Sequence, residues 1–240
     1  MHPLKKAART AGAIYLSMVI TGPFSLIYVP GQLIVRGDAA ATASNFLGHQ
    51  TLFGLWIMTE LLGSVIFICL GIALYRLLST VSKTTATLMV AFVLVSATIG
   101  FFNSLNNIAA MSLFRGSDFL SVVETAQRQA LGMLYVRLHS QGNLINEIFW
   151  GLWLFPLGVL VFRSGFLPRF IGIWLMIDCC AWLVLSPIAL FDPAHYEIAF
   201  KWAQPALFGE LAIMLYLLIK GARVSTESVT TPGVVPNHAT

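Results

Sequence analysis

Leu52-Phe53-Gly54-Leu55-Trp56-Ile57-Met58-Thr59-Glu60-Leu61-Leu62-Gly63-Ser64-Val65-Ile66-Phe67-Ile68-Cys69-Leu70-Gly71-Ile72-Ala73-Leu74-Tyr75-Arg76-Leu77 contains one acid, Glu60, and meets its first basic residue only at its end, Arg76. A helix needs ~20 mostly apolar residues to cross the hydrocarbon of a bilayer. Lipid offers the backbone no hydrogen bonds, so such a segment satisfies its own amides as a helix. The stretch therefore predicts a transmembrane helix over residues 52–77, with a carboxyl group inside it.

Outward from this segment the same reading repeats. Residues 11–30, 86–112, 139–162, 170–190 and 202–220 are comparable apolar runs. The fold class they predict is all-α, a polytopic six-helix membrane bundle. Composition agrees: 58% of residues are apolar and 10% charged, against about 25% charged in soluble domains. Mean hydropathy is +0.82. The net charge of +4 comes from basic residues scattered at the ends of apolar runs. That pattern fits membrane anchoring, with the lipid bilayer as partner, and gives no basic patch for nucleic acid. Cys69, Cys179 and Cys180 lie inside apolar runs without the spacing of a metal site and read as small buried hydrophobes. The run after Lys5, Lys6 and Arg9 is longer than a signal-peptide core, so it reads as an uncleaved first span.

Lys and Arg give the direction. With the N-terminus inside, Lys5, Lys6, Arg9, Arg76, Lys83, Arg163, Arg169, Lys220 and Arg223 are internal, against Arg36, Arg115, Arg128, Arg137 and Lys201 outside. Both termini are thus expected in the cytoplasm. Residues 1–223 form a single domain in this reading, and 224–240 a disordered polar tail. The outer loops carry helix signals. Asp38 precedes an alanine-rich stretch as an N-cap. Ser121 and Glu124 form a capping box, with Arg128 pairing with Glu124, on a stretch that lies at the interface or leads into the fourth span. Asp192-Pro193 reads as an N-cap with a first-turn proline. Gly22-Pro23 predicts a kink in the first span, and the fourth span contains Pro156. A weak repeat relates Glu60, Gly71, Tyr75 and Arg76 to Glu147, Gly158, Phe162 and Arg163; coincidence in an apolar sequence is the competing explanation.

Four acids fall within the spans, Glu60, Glu147, Asp178 and Glu210, and no Lys or Arg does. An ionised carboxylate at that depth costs ~2.5–3.5 kcal/mol. Each is then protonated, hydrogen-bonded, facing water, or neutralised by a bound cation. Glu60, Glu147 and Glu210 each fall ~12 Å below the outer boundary of their predicted spans. Asn103, Asn106 and Asn107 occupy the same half of the third span. His139, Asn143 and Glu147 fall at i, i+4 and i+8. Glu60, Asn103, Asn107, His139, Asn143, Glu147 and Glu210 are therefore expected to line an outward-facing polar cavity for a small solute or a cation, with Asp178 nearer the membrane middle. The alternative is a structural or accessory protein in which these groups only bond helix to helix. A second alternative is an intramembrane enzyme or a haem carrier with His49 and His139 as axial ligands. No catalytic motif supports an enzyme, no cofactor is expected, and the aromatic run Phe149, Trp150, Trp153 and Phe155 reads as packing or as a cation-binding wall.

The run Ile148-Phe149-Trp150-Gly151-Leu152-Trp153-Leu154-Phe155-Pro156-Leu157-Gly158, followed by Arg163-Ser164-Gly165-Phe166-Leu167-Pro168-Arg169, resembles a bacterial family of small integral membrane proteins, domain of unknown function 4386. Tyr28-Val29-Pro30, Gly37-Asp38-Ala39 and Thr42-Ala43 are similar to that family's first outer loop, and Glu60 and Tyr75-Arg76 fit its second span. The resemblance implies six helices and a bacterial cytoplasmic membrane, and implies no activity.

Overall fold

The computed structural model describes residues 2–223; the predicted tail of residues 224–240 lies outside them. The described residues form α1 (Pro3–Pro23), a π-helical turn (Phe24–Tyr28), α2 (Val29–Leu33), α3 (Ala39–Gly48), α4 (Gln50–Leu78) and α5 (Lys83–Arg115). A short 3-10 turn (Asp118–Leu120) leads to α6 (Thr125–Leu152), α7 (Leu154–Arg163), α8 (Arg169–Phe191) and α9 (Tyr196–Ile219). Among the described residues, six helical segments are long and apolar enough to cross a membrane: Pro3–Leu33, Gln50–Leu78, Lys83–Arg115, Thr125–Arg163, Arg169–Phe191 and Tyr196–Ile219. They carry large apolar side chains on their outer surface, among them Ile20, Met58, Phe102, Ile145 and Phe170, each more than half exposed. A water-soluble protein would bury such a surface; lipid covers it.

The six spans form a ring in chain order. Each packs on the next, and α9 returns onto α1 to close it. Small residues allow the close approaches. A Cβ on Gly12 would lie 2.5 Å from the backbone nitrogen of Leu218, and one on Gly158 would lie 2.6 Å from the carbonyl oxygen of Gly172. Van der Waals contact of this kind drives helix association where lipid removes the hydrophobic difference. The repeated glycines noted in the sequence sit in comparable places: Gly71 faces Val93 on the following span, as Gly158 faces Gly172.

The start of α1, the end of α9 and the turn between α7 and α8 gather at one end. There Arg9 Nη2 donates to the Ile219 carbonyl over 3.2 Å, and the amide of Arg223 to the Phe166 carbonyl over 3.0 Å. Above this terminal end lies a core of Leu70, Leu74, Leu77, Met89, Leu157 and Leu217, with Trp153 and Phe67 on its upper side. At the far end α3 lies across the ends of α4, α5 and α6. Its Phe46 packs with Phe53, Trp56 and Phe114 in a second core. Asp38 caps α3 as expected, accepting from Ala41 N–H over 2.8 Å.

Several expected boundaries move. The fourth span begins at Thr125, not 139, and breaks at Trp153 before Pro156, whose missing N–H leaves Leu152 unbonded in the regular pattern. The predicted capping box is absent: Ser121 ends the 3-10 turn, and the Glu124 side chain makes no capping bond. Arg128 bonds Thr125 Oγ1 at 3.1 Å and crowds Gly116, which ends α5 in the left-handed conformation with φ +70. Asp192 closes α8 instead of opening α9, and its carboxylate holds His195 Nδ1 at 2.8 Å. The expected kink at Gly22-Pro23 takes the form of the π-helical turn, where Val29 N–H bonds back to Phe24 O. Ser25 Oγ donates to the carbonyls of Thr21 and Gly22, both at 3.2 Å, so the irregular backbone keeps its bonds. Before the turn the first span packs on α4 and α9; after it, on α4 and α3.

Candidate functional site

Between the two cores, the ring encloses a cavity of about 250 Å³. Three helix stripes face it, and helical periodicity explains each. On α4 the lining residues are Glu60, Gly63, Ser64 and Phe67; on α5, Ser96, Ala97, Gly100 and Asn103. On the fourth span they are His139, Asn143, Asn146, Trp150 and Trp153. These recur at the three- and four-residue intervals that keep one face of a helix toward one neighbour. Met18, Gly22, Ser25 and Leu26 of the first span, Trp182 of α8 and Glu210 of α9 complete the wall. Leu26 lines the cavity and is 45% exposed, so the cavity reaches the bundle surface beside the π-helical turn.

Glu60 is held on all sides. His139 Nε2 lies 2.8 Å from Glu60 Oε1. Asn107 Nδ2 donates to Oε2 over 3.2 Å and Ser104 Oγ to the same oxygen over 3.4 Å. The Trp56 ring meets the His139 ring edge-to-face at 5.3 Å. Asn103 fixes the imidazole's own helix. Its Nδ2 donates to the His139 carbonyl and to Asn143 Oδ1, both at 2.9 Å, and its Oδ1 accepts from Asn106 at 3.0 Å. Gly142 makes room, since a Cβ there would collide with the Asn103 amide. No Lys or Arg falls within the predicted spans, and the basic partner of Glu60 is a histidine. His139 stands at the mouth of its predicted span. The earlier start of α6 puts this histidine well inside, 3% exposed, as the partner of Glu60.

Glu210 is held differently. Tyr15 donates its hydroxyl to Glu210 Oε2 over 2.6 Å, and the Tyr15 ring rests 6.0 Å from Trp153. No ion pair to Glu210 occurs among the described residues. Beside it on α8 stands Asp178, 0% exposed, with neither oxygen in a hydrogen bond of good geometry; the Glu210 backbone N–H lies toward it without completing one. Its Oδ2 would be 3.1 Å from a Cβ on Gly209.

Glu147 does not join the cavity. It turns to α9, where Tyr196 donates to its Oε1 over 3.3 Å, and its Oε2 is buried without a partner. The reason is angular. Eight residues advance a helix by ~80° from the starting face, whereas seven bring it back within ~20°. The stripe begun by His139 and Asn143 therefore continues through Asn146, which the sequence reading passed over, and not through Glu147. α9 begins at Tyr196, six residues before the predicted start of the last span, so Glu210 lies ~21 Å from the start of its helix. Tyr15, Ser104, Asn146 and Trp182 were missed as well. The seven-residue return would have found Asn146; Tyr15 and Trp182 give no local signal, because ring closure alone brings them in. His49, the other histidine weighed as a haem ligand, is exposed at the junction of α3 and α4, its Nδ1 3.0 Å from the Asn45 carbonyl.

An "Uncharacterized protein" from Archaeoglobus fulgidus (strain ATCC 49558 / DSM 4304 / JCM 9628 / NBRC 100126 / VC-16) is 29% identical to this chain over 168 residues, which is 70% of this chain and 84% of that protein. No solved structure matches. Residues 10–221, which include all six spans apart from the first turns of α1, match the family described as Domain of unknown function (DUF4386), and the chain belongs to that family.

Proposed function

We propose that this integral membrane protein binds a small solute or cation in the cavity at the centre of its helix ring, and that it works as a transporter-like or binding protein. One observation carries the reading: two acids from helices that do not neighbour each other in the ring, Glu60 and Glu210, line one cavity together with His139, Asn103 and Asn143. Intramembrane ionisable groups facing a cavity mark ligand and ion pathways. Glu147 belongs in this reading to the joint between α6 and α9. The protein sits in the bacterial cytoplasmic membrane with both termini in the cytoplasm, in keeping with the basic residues at its terminal end. A fluorescent reporter that matures only in the cytoplasm, fused to the C-terminus, is expected to light up; a dark but inserted fusion reverses the orientation.

The binding reading is tested with purified protein in lipid nanodiscs. Cations are added singly while the melting temperature is followed for the wild type and for Glu60→Gln and Glu210→Gln. Ligand-dependent stabilisation that Glu210→Gln removes supports the proposal. Equal responses of all three proteins to every cation defeat it. The saturation of Glu60 by protein donors favours a second reading for that residue alone, in which it serves helix packing.

A further inference from the structure

Resting on the cavity reading above, we infer that the ligand is a small organic cation of the alkylammonium class, held between Glu210 and an aromatic wall. The cavity lining contains acids and no Lys or Arg, so it favours a cation over an anion. Glu60 has both oxygens engaged by protein groups, which leaves Glu210, bonded to a single phenol, as the available counter-charge. The rest of the surface decides the kind of cation. Hard metal ions take shells of oxygen ligands. Here the oxygen-bearing side chains share the lining with Trp150, Trp153, Trp182 and Phe67, and aromatic rings of this kind attract a diffuse positive charge.

These rings are fixed before any ligand arrives. Trp150 meets Trp182 at 5.7 Å and 80°, and Trp153 meets Phe67 at 5.0 Å and 85°. Edge-to-face contacts of this kind lock ring orientation and lower the ordering cost of binding. Asn146 also lines the cavity, at 6% exposure, on the stripe it shares with His139 and Asn143. The surface opening beside Leu26 gives such a partly apolar cation a path from the lipid boundary.

The experiment uses the full chain in nanodiscs and four probes: choline, its uncharged analogue with carbon in place of nitrogen, sodium chloride and potassium chloride. Binding is followed by tryptophan fluorescence and by melting temperature. Choline is expected to bind at least roughly tenfold more tightly than its neutral analogue, by the worth of a desolvated cation–π contact together with the carboxylate. Glu210→Gln abolishes that difference, and Trp150→Phe and Trp182→Phe each weaken choline by roughly threefold. Glu197→Gln, an exposed acid on the same helix, leaves it unchanged. Melting of each unliganded variant reports folding; if Glu210→Gln does not fold, the two Trp→Phe variants carry the test. Equal binding of choline and its analogue overturns the inference. Glu210-dependent binding of sodium or potassium without choline also overturns it and leaves the cavity reading standing. Failure of every probe removes both.

Discussion

Two carboxylates face the same cavity, and the protein treats them in opposite ways. Glu60 meets an imidazole, an amide and a hydroxyl from two other helices, and the imidazole's own segment is pinned by Asn103. Glu210 meets one phenol and stands beside Asp178, a second acid whose oxygens have no good bond. In a low-dielectric interior an unmet polar group is costly and a met one rigidifies its surroundings. The first corner is therefore a joint that sets where α4, α5 and α6 lie. The second is bonded by one side chain, and it is where the proposal above puts the ligand.

The comparison breaks most clearly at His139. Its replacement by Ala removes one half of a buried pair and leaves Glu60 Oε1 without its imidazole partner, which costs ~3 kcal/mol. Reversible unfolding of His139→Ala in detergent should show that loss. A change below 1 kcal/mol would mean that the pair is not the joint described. Gly142→Ala attacks the same corner from behind. The added methyl occupies the position of the Asn103 amide, so Asn103 gives up the His139 carbonyl and Asn143, for ~1–3 kcal/mol. The double variant Gly142→Ala/Asn103→Ala, which removes the clash and the stranded amide together, should recover part of this.

How much of this was legible in the residues alone differs between the two corners. The six spans followed from run length, because lipid leaves the backbone no other solution. Most of the Glu60 corner was legible for a related reason. Asn103 with Asn107, and His139 with Asn143, are polar pairs at i, i+4 on their helices, and such pairs share a face. What failed there was the start of the fourth span, since Arg128 and Arg137 interrupt the apolar run while the helix continues through them. The Glu210 corner was not legible as a unit. Tyr15, Asp178 and Glu210 come from the first, fifth and sixth spans, and only the closure of α9 onto α1 brings them together. No local periodicity encodes that closure. The choice of Glu147 over Asn146 came from extending an i, i+4 stripe by four again, when the helix returns to its face after seven.

Asp178 sharpens the contrast with a smaller effect. If it were a structural anchor like Glu60, Asp178→Asn would cost several kcal/mol. With no good hydrogen bond to lose, the amide, which is similar in size, should change stability by less than about 1 kcal/mol. A melting shift as large as that of His139→Ala would show that this acid is held by bonds as the first corner is.

Tyr15→Phe carries the smallest expected effect and separates the two ways of reading the second corner. The substitution removes one hydroxyl and keeps the ring against Trp153. A single interhelical hydrogen bond inside a membrane protein is worth ~0.6 kcal/mol, so the loss of stability should be about that. If Glu210 is only a helix-to-helix bond, losing its one donor ends its role, and Glu210→Gln in the Tyr15→Phe background should add nothing. If Glu210 is the counter-charge for a bound cation, the phenol competes with the ligand for the same carboxylate. Tyr15→Phe should then keep or tighten cation binding while it loosens the fold slightly, and Glu210→Gln should abolish binding in both backgrounds. Opposite signs for stability and affinity in one substitution are what a packing role cannot produce.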